Sequence, residues 1–345
     1  MKAIERIKIS NVAAFEEFDC ALSPGINAFI GVNGTGKTRL LKLLYIFCHW
    51  VERKYFDTGN LNIEYLNEYF LPSENSIGRL VRKGQQDAEV RFFIDGKSKF
   101  MSFSRNMTQG LIFGGNIKIE ATIKGVYIPS KDILANAPGF RSLYEKREIH
   151  FEKVFKDILD HAYLPSLKNI DSRKAMLDIL QREMGGQVVI KGEEFFLVTD
   201  KGEEFEFTLL AEGMRKLGLL WLLIKNGSLI ADDDNTLSVL CWDEPETNLN
   251  PRMFESVVDV LLALQRQGVQ IFLATHSYPF LKFIDLKRNK ESDKVLFHAL
   301  DVDTSHGVTC ESTKHYEDLA PNALVEAYDT LYDYEIKRMV GRKRT

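Results

Sequence analysis

A run of eight residues fits the pattern G-x-x-x-x-G-K-[ST] of a phosphate-binding loop: Gly31-Val32-Asn33-Gly34-Thr35-Gly36-Lys37-Thr38. The apolar residues 26–30 before it predict a buried strand, and the leucine-rich residues 39–44 after it predict a helix. In that setting the loop N–H groups and the helix N-terminus can bind phosphate oxygens. The pattern places Lys37 at the β- and γ-phosphates and the Thr38 hydroxyl on Mg²⁺. The expected nucleotide-binding residues are Gly31, Asn33, Gly34, Thr35, Gly36, Lys37, Thr38 and Arg39.

Two adjacent carboxylates, Asp243 and Glu244, end a second apolar stretch at 237–242. An enzyme with a phosphate-binding loop needs such a pair, because Asp243 can hold Mg²⁺ through water and Glu244 can polarise the attacking water. Alone, a strand that ends in Asp-Glu is as often a surface feature. Its position after the phosphate-binding loop, and the segment 245–251 that follows it, favour the catalytic interpretation.

His276 follows the next predicted strand, at 269–274, and is the third catalytic candidate beside Glu244 and Lys37. An imidazole at this position can reach the γ-phosphate and sense its hydrolysis. A lone histidine at a strand end is otherwise a capping or core residue. A further feature, Ala211-Glu212-Gly213 at the start of a predicted helix, offers backbone N–H groups to an anion but is a weak signal by itself.

The composition is that of an ordinary globular protein, with 345 residues, 45% apolar and 27% charged residues and a net charge of −4. This charge gives no general electrostatic case for binding nucleic acid or a membrane. The four cysteines are far apart in sequence, so we predict neither a zinc site nor a disulfide framework. The N-terminus is not that of a signal peptide, and the longest apolar run, 217–224, is too short to span a bilayer. We expect a cytoplasmic protein.

The elements around these motifs predict an α/β fold with a mixed or parallel central sheet, an antiparallel β subdomain and a helical insertion. The N-terminal lobe, 1–130, holds the phosphate-binding loop, a polar excursion at 56–87 and antiparallel strands that include a hairpin at 90–103 and a strand at 117–123. The insertion, 131–186, has an amphipathic face at Phe151, Val154, Phe155, Ile158 and Leu159 and a second helix at 173–183.

The C-terminal lobe, 187–345, begins with a hairpin and then alternates helix and strand. Its predicted helices are 211–225, 251–267, 278–284 and 321–338, and its strands include 237–242, 270–274 and 295–300. The last helix has an apolar face formed by Leu324, Ala327, Tyr328, Leu331 and Tyr332. Asp301 and Asp303 could be a metal pair, but the polar residues after them favour a β-turn.

Taken in chain order, four segments resemble the motifs of ABC-type ATPase heads: 31–38, 211–213, 243–246 and 275–277. Two features are similar to the soluble, non-transporter branch of this family. One is the long interval between segments 31–38 and 211–213, and the other is the Asp-Glu-Pro-Glu run at 243–246. That branch includes the RecF and structural-maintenance-of-chromosomes (SMC) heads, the OLD nucleases and stand-alone ATPase subunits of bacterial anti-phage systems. The segment 127–132 also resembles this last group.

The resemblance implies a homodimer of heads packed head-to-tail around two ATP molecules and Mg²⁺. It implies that Asp243 is the Mg²⁺ ligand, Glu244 the catalytic base, His276 the switch histidine and Gly213 a contact to the nucleotide of the other head. Residues 248–250 would link the two sites. Three features depart from the family: Ala211 replaces the signature serine, Asn250 replaces a frequent histidine, and no glutamine of the family's Q-loop can be placed.

Three functions follow from this resemblance. The first is an ATP-dependent dimeric switch that controls an effector protein subunit, in anti-phage defence, with the segment 142–184 and the C-terminal helix as partner surfaces. The second is a RecF-type head that binds DNA. The third is a nucleotide-gated scaffold with little hydrolysis, which the loss of the serine at Ala211 favours and Glu244 with His276 opposes.

Overall fold

The computed structural model describes residues 2–52, 64–107, 112–114, 122–147, 149–230, 233, 235–303, 307–320 and 322–342. Its centre is an eleven-stranded sheet, accompanied by a separate three-stranded sheet. The strands are β1 (Ile4–Val12), β2 (Phe15–Ala21), β3 (Ile26–Gly31), β4 (Asp87–Ile94), β5 (Lys97–Ser104), β6 (Ile112–Gly114), β7 (Thr122–Ile128), β8 (Gly186–Lys191), β9 (Glu194–Thr199), β10 (Glu204–Glu206), β11 (Thr236–Asp243), β12 (Gln270–Ala274), β13 (Val295–Asp303) and β14 (Gly307–Thr313).

The large sheet has the order β6-β5-β4-β1-β2-β14-β13-β3-β12-β11-β7. The strands β13, β3, β12, β11 and β7 are parallel to one another, and β14 is antiparallel to both β13 and β2. The strands β2, β1, β4, β5 and β6 pair in an antiparallel manner at the other end. The predicted α/β fold with a mixed central sheet and antiparallel strands is confirmed.

Helices cover both faces of the parallel strands, which is why β3 and β12 are buried at almost every position. They are α1 (Lys37–Glu52), α2 (Glu64–Phe70), α3 (Phe140–Lys146), α4 (Lys153–Ala162), α5 (Lys174–Met184), α6 (Glu212–Lys225), α7 (Phe254–Arg266), α8 (Tyr278–Lys287) and α9 (Ala323–Arg342). Helix α1 packs on one face, against β7, β11 and β12. Helices α5, α6 and α7 pack together in the core of the other face.

The described part of the polar segment 56–87, which begins at residue 64, is not the irregular excursion that the sequence predicts. Residues 64–70 form α2, which buries Leu66 and Tyr69, and two short 3-10 turns follow it. Most of the strand predicted at 117–123 lies outside the described residues. The described strand β7 lies at the far edge of the sheet, parallel to β11, and not beside the antiparallel hairpin.

The helices of the segment 131–186 are not an exposed appendage, because their apolar faces belong to the central cores. Val154 of α4 is buried under the face that holds α1, and Leu180 of α5 is buried with α6 and α7. Phe151 precedes α4 and is 46% exposed, so the predicted helical face begins only at Val154. This segment therefore offers less free surface to a partner than we expected.

The C-terminal segment differs from the sequence prediction in two ways. Strand β13 runs through Asp303, three residues beyond its predicted end, and pairs with β14. Residues 304–306, which favour the β-turn predicted after Asp301 and Asp303, lie outside the described residues. Helix α9 packs only through its first turns, where Tyr278 and Tyr328 lie 4.7 Å apart between ring centroids. Farther along, Leu331 and Tyr332 are 52% and 58% exposed, because the helix extends beyond the body of the protein.

Among the described residues, none of the helices combines the length and the apolar character needed to cross a membrane.

Candidate functional site

The phosphate-binding loop connects β3 to α1, as the sequence predicts. Strand β3 ends at Gly31 and α1 begins at Lys37, whose Nζ donates to Gly31 O at 2.8 Å and to Val32 O at 3.0 Å. The Thr35 hydroxyl donates to Val32 O at 2.9 Å and closes the loop. Gly36 has φ of +89°, and a Cβ there would lie 2.7 Å from the Phe15 ring, so only glycine fits. Of the other predicted residues, Asn33, Gly34 and Thr38 are exposed and Arg39 is half-buried.

A pair of oxygen ligands lies where α1 meets the end of β11. The Thr38 hydroxyl donates to the two carboxylate oxygens of Asp243, at 3.1 and 3.0 Å. The Tyr127 hydroxyl, from the neighbouring strand β7, lies 3.5 Å from the same carboxylate. Burial raises the pKa of Asp243 to about 6, although the Thr38 hydrogen bond opposes this shift. A buried carboxylate beside a hydroxyl suits a hard divalent cation such as Mg²⁺.

Glu244 follows β11 in a strained backbone conformation, with φ of +49°. Its N–H donates to Ala274 O at 2.8 Å, which ties it to the end of the adjacent strand β12. Its Oε2 accepts a hydrogen bond from the Thr247 hydroxyl at 3.0 Å. Strands β3, β12 and β11 are adjacent and parallel, so they end at the same edge of the sheet. The two contacts therefore hold the Glu244 carboxylate at the edge where the phosphate-binding loop follows β3.

His276 lies just after β12 and is held to the loop that follows β11. Its backbone N–H donates to Glu246 Oε1 at 2.8 Å. The imidazole is half-buried, and its pKa is lowered first by burial and then by the positive charge of Lys37, while Glu244 opposes the shift. The ring is therefore neutral at pH 7. These interactions also show that Lys37, Glu244 and His276, the three residues that the sequence predicts as catalytic, lie near one another.

Burial lowers the pKa of Lys37 to about 8, against the opposing charges of Asp243, Glu244 and Glu246. The carboxylates of Asp243, Glu244 and Glu246 thus lie around this ammonium, and Lys42 and Lys216 also act on them. Carboxylates and ammonium groups placed together in this way suit a divalent cation and the phosphates that such a cation accompanies. The residues present accordingly fit a nucleotide with Mg²⁺.

Comparison with known proteins gives two family matches. A family described as "AAA domain, putative AbiEii toxin, Type IV TA system" matches residues 115–282. A second, described as "AAA domain", matches residues 6–155. The two matches overlap and together include the phosphate-binding loop, the carboxylates after β11 and His276.

Curated relatives include the "DNA replication and repair protein RecF" of Enterobacter sp. (strain 638) and of Salmonella typhi. Each is 34% identical over 102 residues, which is 27% of this chain. The chain spans only 28% of the length of these RecF proteins.

Solved structures share the fold over nearly the whole chain. The Smc head domain of Pyrococcus furiosus, bound to the C-terminal domain of ScpA, has a TM-score of 0.56 at 11% identity and covers 97% of this chain and 100% of its own. The SMC head domain from Thermotoga maritima has a TM-score of 0.50 at 15% identity, over 90% of this chain and 99% of its own. At these identities the likeness shows the fold alone.

The chain resembles the ATPase heads of the RecF/SMC/OLD-like ABC type.

Sequence reasoning missed one residue of this site, Lys216. It is buried on α6, and its Nζ donates to Thr247 O at 2.8 Å and to Glu244 O at 3.3 Å. Burial lowers its pKa, with Glu212 opposing the shift. Lys216 therefore fixes the backbone of the loop that carries the Glu244 carboxylate. No motif marks it, because a lysine in a predicted helix normally lies on the solvent face.

The start of α6 is joined to the same loop. A Cβ at Gly213 would lie 2.5 Å from Asn248 O. Any residue other than glycine at this position would therefore prevent the helix from packing this closely against the loop. Ala211 is exposed and occupies the N-cap of α6. Asn250 accepts a hydrogen bond from Arg252 N and caps the turn that leads into α7. Gly213 thus has a packing role within its own chain, apart from any contact with a second head.

Proposed function

We propose that this chain binds ATP with Mg²⁺ and hydrolyses it slowly, as a nucleotide-dependent dimeric switch that controls a partner protein. The observation that carries the proposal is the convergence of Lys37, the Thr38–Asp243 pair and Glu244 at one edge of the sheet. Asp243 and Glu244 lie at the carboxyl end of β11, and Lys37 and Thr38 begin the helix that the loop after β3 leads into. Ligands of open α/β sheets bind at this edge.

Each site residue has a role that its contacts support. The N–H groups of the loop 31–36 and Lys37 bind the phosphates, and Thr38 and Asp243 hold Mg²⁺, which neutralises developing negative charge. Glu244 accepts the proton of the attacking water, since its carboxylate is held by Thr247 and points from the strand edge. The neutral imidazole of His276 can donate a hydrogen bond to the γ-phosphate. Its link to Glu246 couples the loop after β12 to the loop after β11.

The N-terminus of α6 supports a dimer. Ala211 is exposed at the N-cap and no side chain caps the first turn, so the first N–H groups of α6 can contact the phosphates held by a second head. Two heads in this arrangement bury both nucleotides. The close contact of Gly213 with Asn248 would carry the state of one site to the other, because residues 248–250 follow directly from the carboxylates.

Two observations support a partner protein and a role in anti-phage defence. One solved relative is an Smc head bound to a domain of another protein, ScpA. The description of one matching family names an AbiEii toxin and a type IV TA system. Helix α9 exposes apolar side chains beyond Tyr328, which makes it a candidate surface for a partner within the described part of the chain.

The decisive experiment compares the wild-type protein with Glu244→Gln in ATP and Mg²⁺, following mass in solution together with phosphate release. We expect the wild type to release phosphate and Glu244→Gln to form a stable ATP-bound dimer with hydrolysis reduced at least about 100-fold. Glu291→Gln is the matched control. Glu291 is exposed and lies three residues before Lys294. The carbonyl of Lys294 accepts a hydrogen bond from Ile26 N at the first residue of β3, whereas the site lies at the last residues of the parallel strands.

The alternatives give different results in this experiment. If the wild type dimerises on ATP but releases no phosphate, the nucleotide-gated scaffold replaces the hydrolysing switch. If Glu244→Gln hydrolyses ATP as fast as the wild type, Glu244 is not the base. If neither protein binds ATP, the proposed function is wrong.

A DNA-binding function of the RecF type is the second candidate, favoured by the RecF match and by a basic groove. The groove is lined by Arg79, Arg82, Lys83 and Arg105. Two of these cations form ion pairs, Arg79 with Glu74 and Arg82 with Glu16, each at 3.0 Å. We expect any affinity for duplex DNA to fall steeply with salt and to weaken in Lys83→Glu, as measured by fluorescence anisotropy. Absence of binding by the ATP-bound dimer would remove this candidate.

A further inference from the structure

Three side chains that can bind metal meet where the two halves of the large sheet join. Cys20 lies on β2, His298 on β13 and Cys310 on β14, which are adjacent strands. His298 is paired with Ser312 across β13 and β14, and Cys310 lies two residues before Ser312 on the same face. Cys20 and His298 are buried and Cys310 is half-buried. The cysteines are 290 residues apart, which is why their spacing in the sequence gave no sign of a site.

The distances among these three side chains fit a tetrahedral metal ion. The two sulfur atoms are 3.4 Å apart, and Cys20 Sγ lies 3.5 Å from His298 Nδ1. All three ligand atoms lie within 4.8 Å of one another. Zinc–sulfur bonds of about 2.3 Å and zinc–nitrogen bonds of about 2.0 Å give tetrahedral edges of about 3.8 Å between sulfurs and about 3.5 Å between sulfur and nitrogen. Shifts of a few tenths of an ångström would complete this geometry.

The hydrogen bonds of Asn27 determine which nitrogen of His298 is free to bind a metal. Asn27 Oδ1 accepts from Ser23 N at 2.7 Å, and its Nδ2 donates to Ser23 O at 2.9 Å, so the amide orientation is defined. Oδ1 also lies 3.1 Å from His298 Nε2, which must therefore carry the proton. Nδ1 then carries the lone pair, and it accepts a hydrogen bond from the Ser312 hydroxyl at 2.7 Å while lying 3.5 Å from Cys20 Sγ. A bound ion would take the place of this hydrogen bond. An outer hydrogen bond such as the one from Nε2 to Asn27 orients metal-binding histidines.

The charge of the complete site also suits a buried position. Two thiolates and a neutral imidazole around a divalent ion give no net charge, so burial of the complex costs little. The mixed sulfur and nitrogen ligand set suits Zn²⁺ and not Mg²⁺ or Ca²⁺.

We propose that Cys20, His298 and Cys310 bind one Zn²⁺, with water or the Ser312 hydroxyl in the fourth position. The ion joins β2 of the antiparallel half to β13 and β14 beside the parallel half. One of these strands, β13, pairs with β3, so the ion stabilises the frame of the phosphate-binding loop without contacting a nucleotide.

The test is the zinc content of protein purified under reducing conditions and supplied with Zn²⁺. We expect one zinc per chain in the wild type and loss of most of it in Cys20→Ser and in Cys310→Ser. Cys48→Ala is the control, because Cys48 is a buried free thiol of α1 outside this cluster, and it should keep its zinc. The three variants are compared by circular dichroism, so that only folded proteins count.

A second measurement needs no variant. The chelator-treated wild type is titrated with Co²⁺, which should give the intense near-ultraviolet absorption of thiolate ligands and then lose it when Zn²⁺ is added. Wild-type protein that is folded and reduced but retains no more zinc than Cys20→Ser overturns the proposal. So does isolation of Cys20 and Cys310 as a disulfide, with a mass lower by two hydrogens, in protein that zinc does not protect from oxidation.

Discussion

Ala211 occupies the N-cap of α6, where its side chain accepts no hydrogen bond from the first turn. We expect Ala211→Ser to raise the free energy of unfolding by about 1 kcal/mol, because a serine at this position accepts from a first-turn N–H. The same hydroxyl should raise the rate of ATP hydrolysis if the N-terminus of α6 contacts the nucleotide of a second head. Urea denaturation measures the first effect and phosphate release the second.

Ala327→Ser, on the exposed part of α9, is the control for the effect of the substitution itself. It should leave stability almost unchanged and ATPase activity unaltered. A gain in stability at Ala211 without a gain in rate would confine this residue to capping its own helix, and the proposed contact with the second head would lose its support.

The site was predictable from sequence wherever a residue follows an apolar strand within a recognisable motif. The phosphate-binding loop, Asp243, Glu244 and His276 all meet this condition, and their strands lie side by side. Lys216 does not, since its function depends on the loop 244–247 folding back over α6. The cluster of Cys20 and Cys310 was missed because β14 itself was not predicted.

The first helices of the chain are joined by a buried carboxylate. Asp157 of α4 accepts hydrogen bonds from Tyr45 of α1 at 3.0 Å and from Tyr69 of α2 at 2.8 Å. Burial raises the pKa of Asp157, so the two hydroxyls stabilise a charge that the interior disfavours. We expect Asp157→Ala to lower the free energy of unfolding by about 1–3 kcal/mol, because it leaves two buried hydroxyls without their acceptor.

Asp157→Asn is the matched variant, since its amide keeps one acceptor oxygen and removes the buried charge. Its loss of stability in urea denaturation should be smaller than that of Asp157→Ala. Equal losses in the two variants would show that the hydroxyl hydrogen bonds are not what Asp157 contributes.

Elements with a strong periodic pattern were predicted with nearly the observed bounds. Helix α6, strand β12 and the hairpin of β8 and β9 are examples. The polar stretch that forms α2 was missed, because its helix is stabilised by Tyr69 packing on α1 and not by local pattern. The place of β7 beside β11 could not be predicted either, since a parallel neighbour far along the chain leaves no signal in either strand.

At the scale of the whole molecule, the head by itself holds only half of the site that we propose. The phosphate-binding loop and the carboxylates lie together, whereas the N-terminus of α6 is exposed and its Gly213 packs on residue 248 of its own chain. A complete site would then need Lys37 from one chain and the segment 211–213 from another. This arrangement can be tested by mixing two inactive variants.

Lys37→Ala disables the phosphate-binding loop, and Ala211→Arg blocks the exposed N-terminus of α6 while leaving the core intact. Each variant alone should be inactive, because both sites of its dimer are damaged. An equal mixture should recover about a quarter of the wild-type ATPase rate, since half of the randomly formed dimers are mixed and each of these has one intact site out of two. Lys37→Ala mixed with Glu244→Gln is the control: both residues act within one chain, so no dimer gains an intact site and no activity returns. Recovery in both mixtures, or in neither, would contradict a head-to-tail dimer.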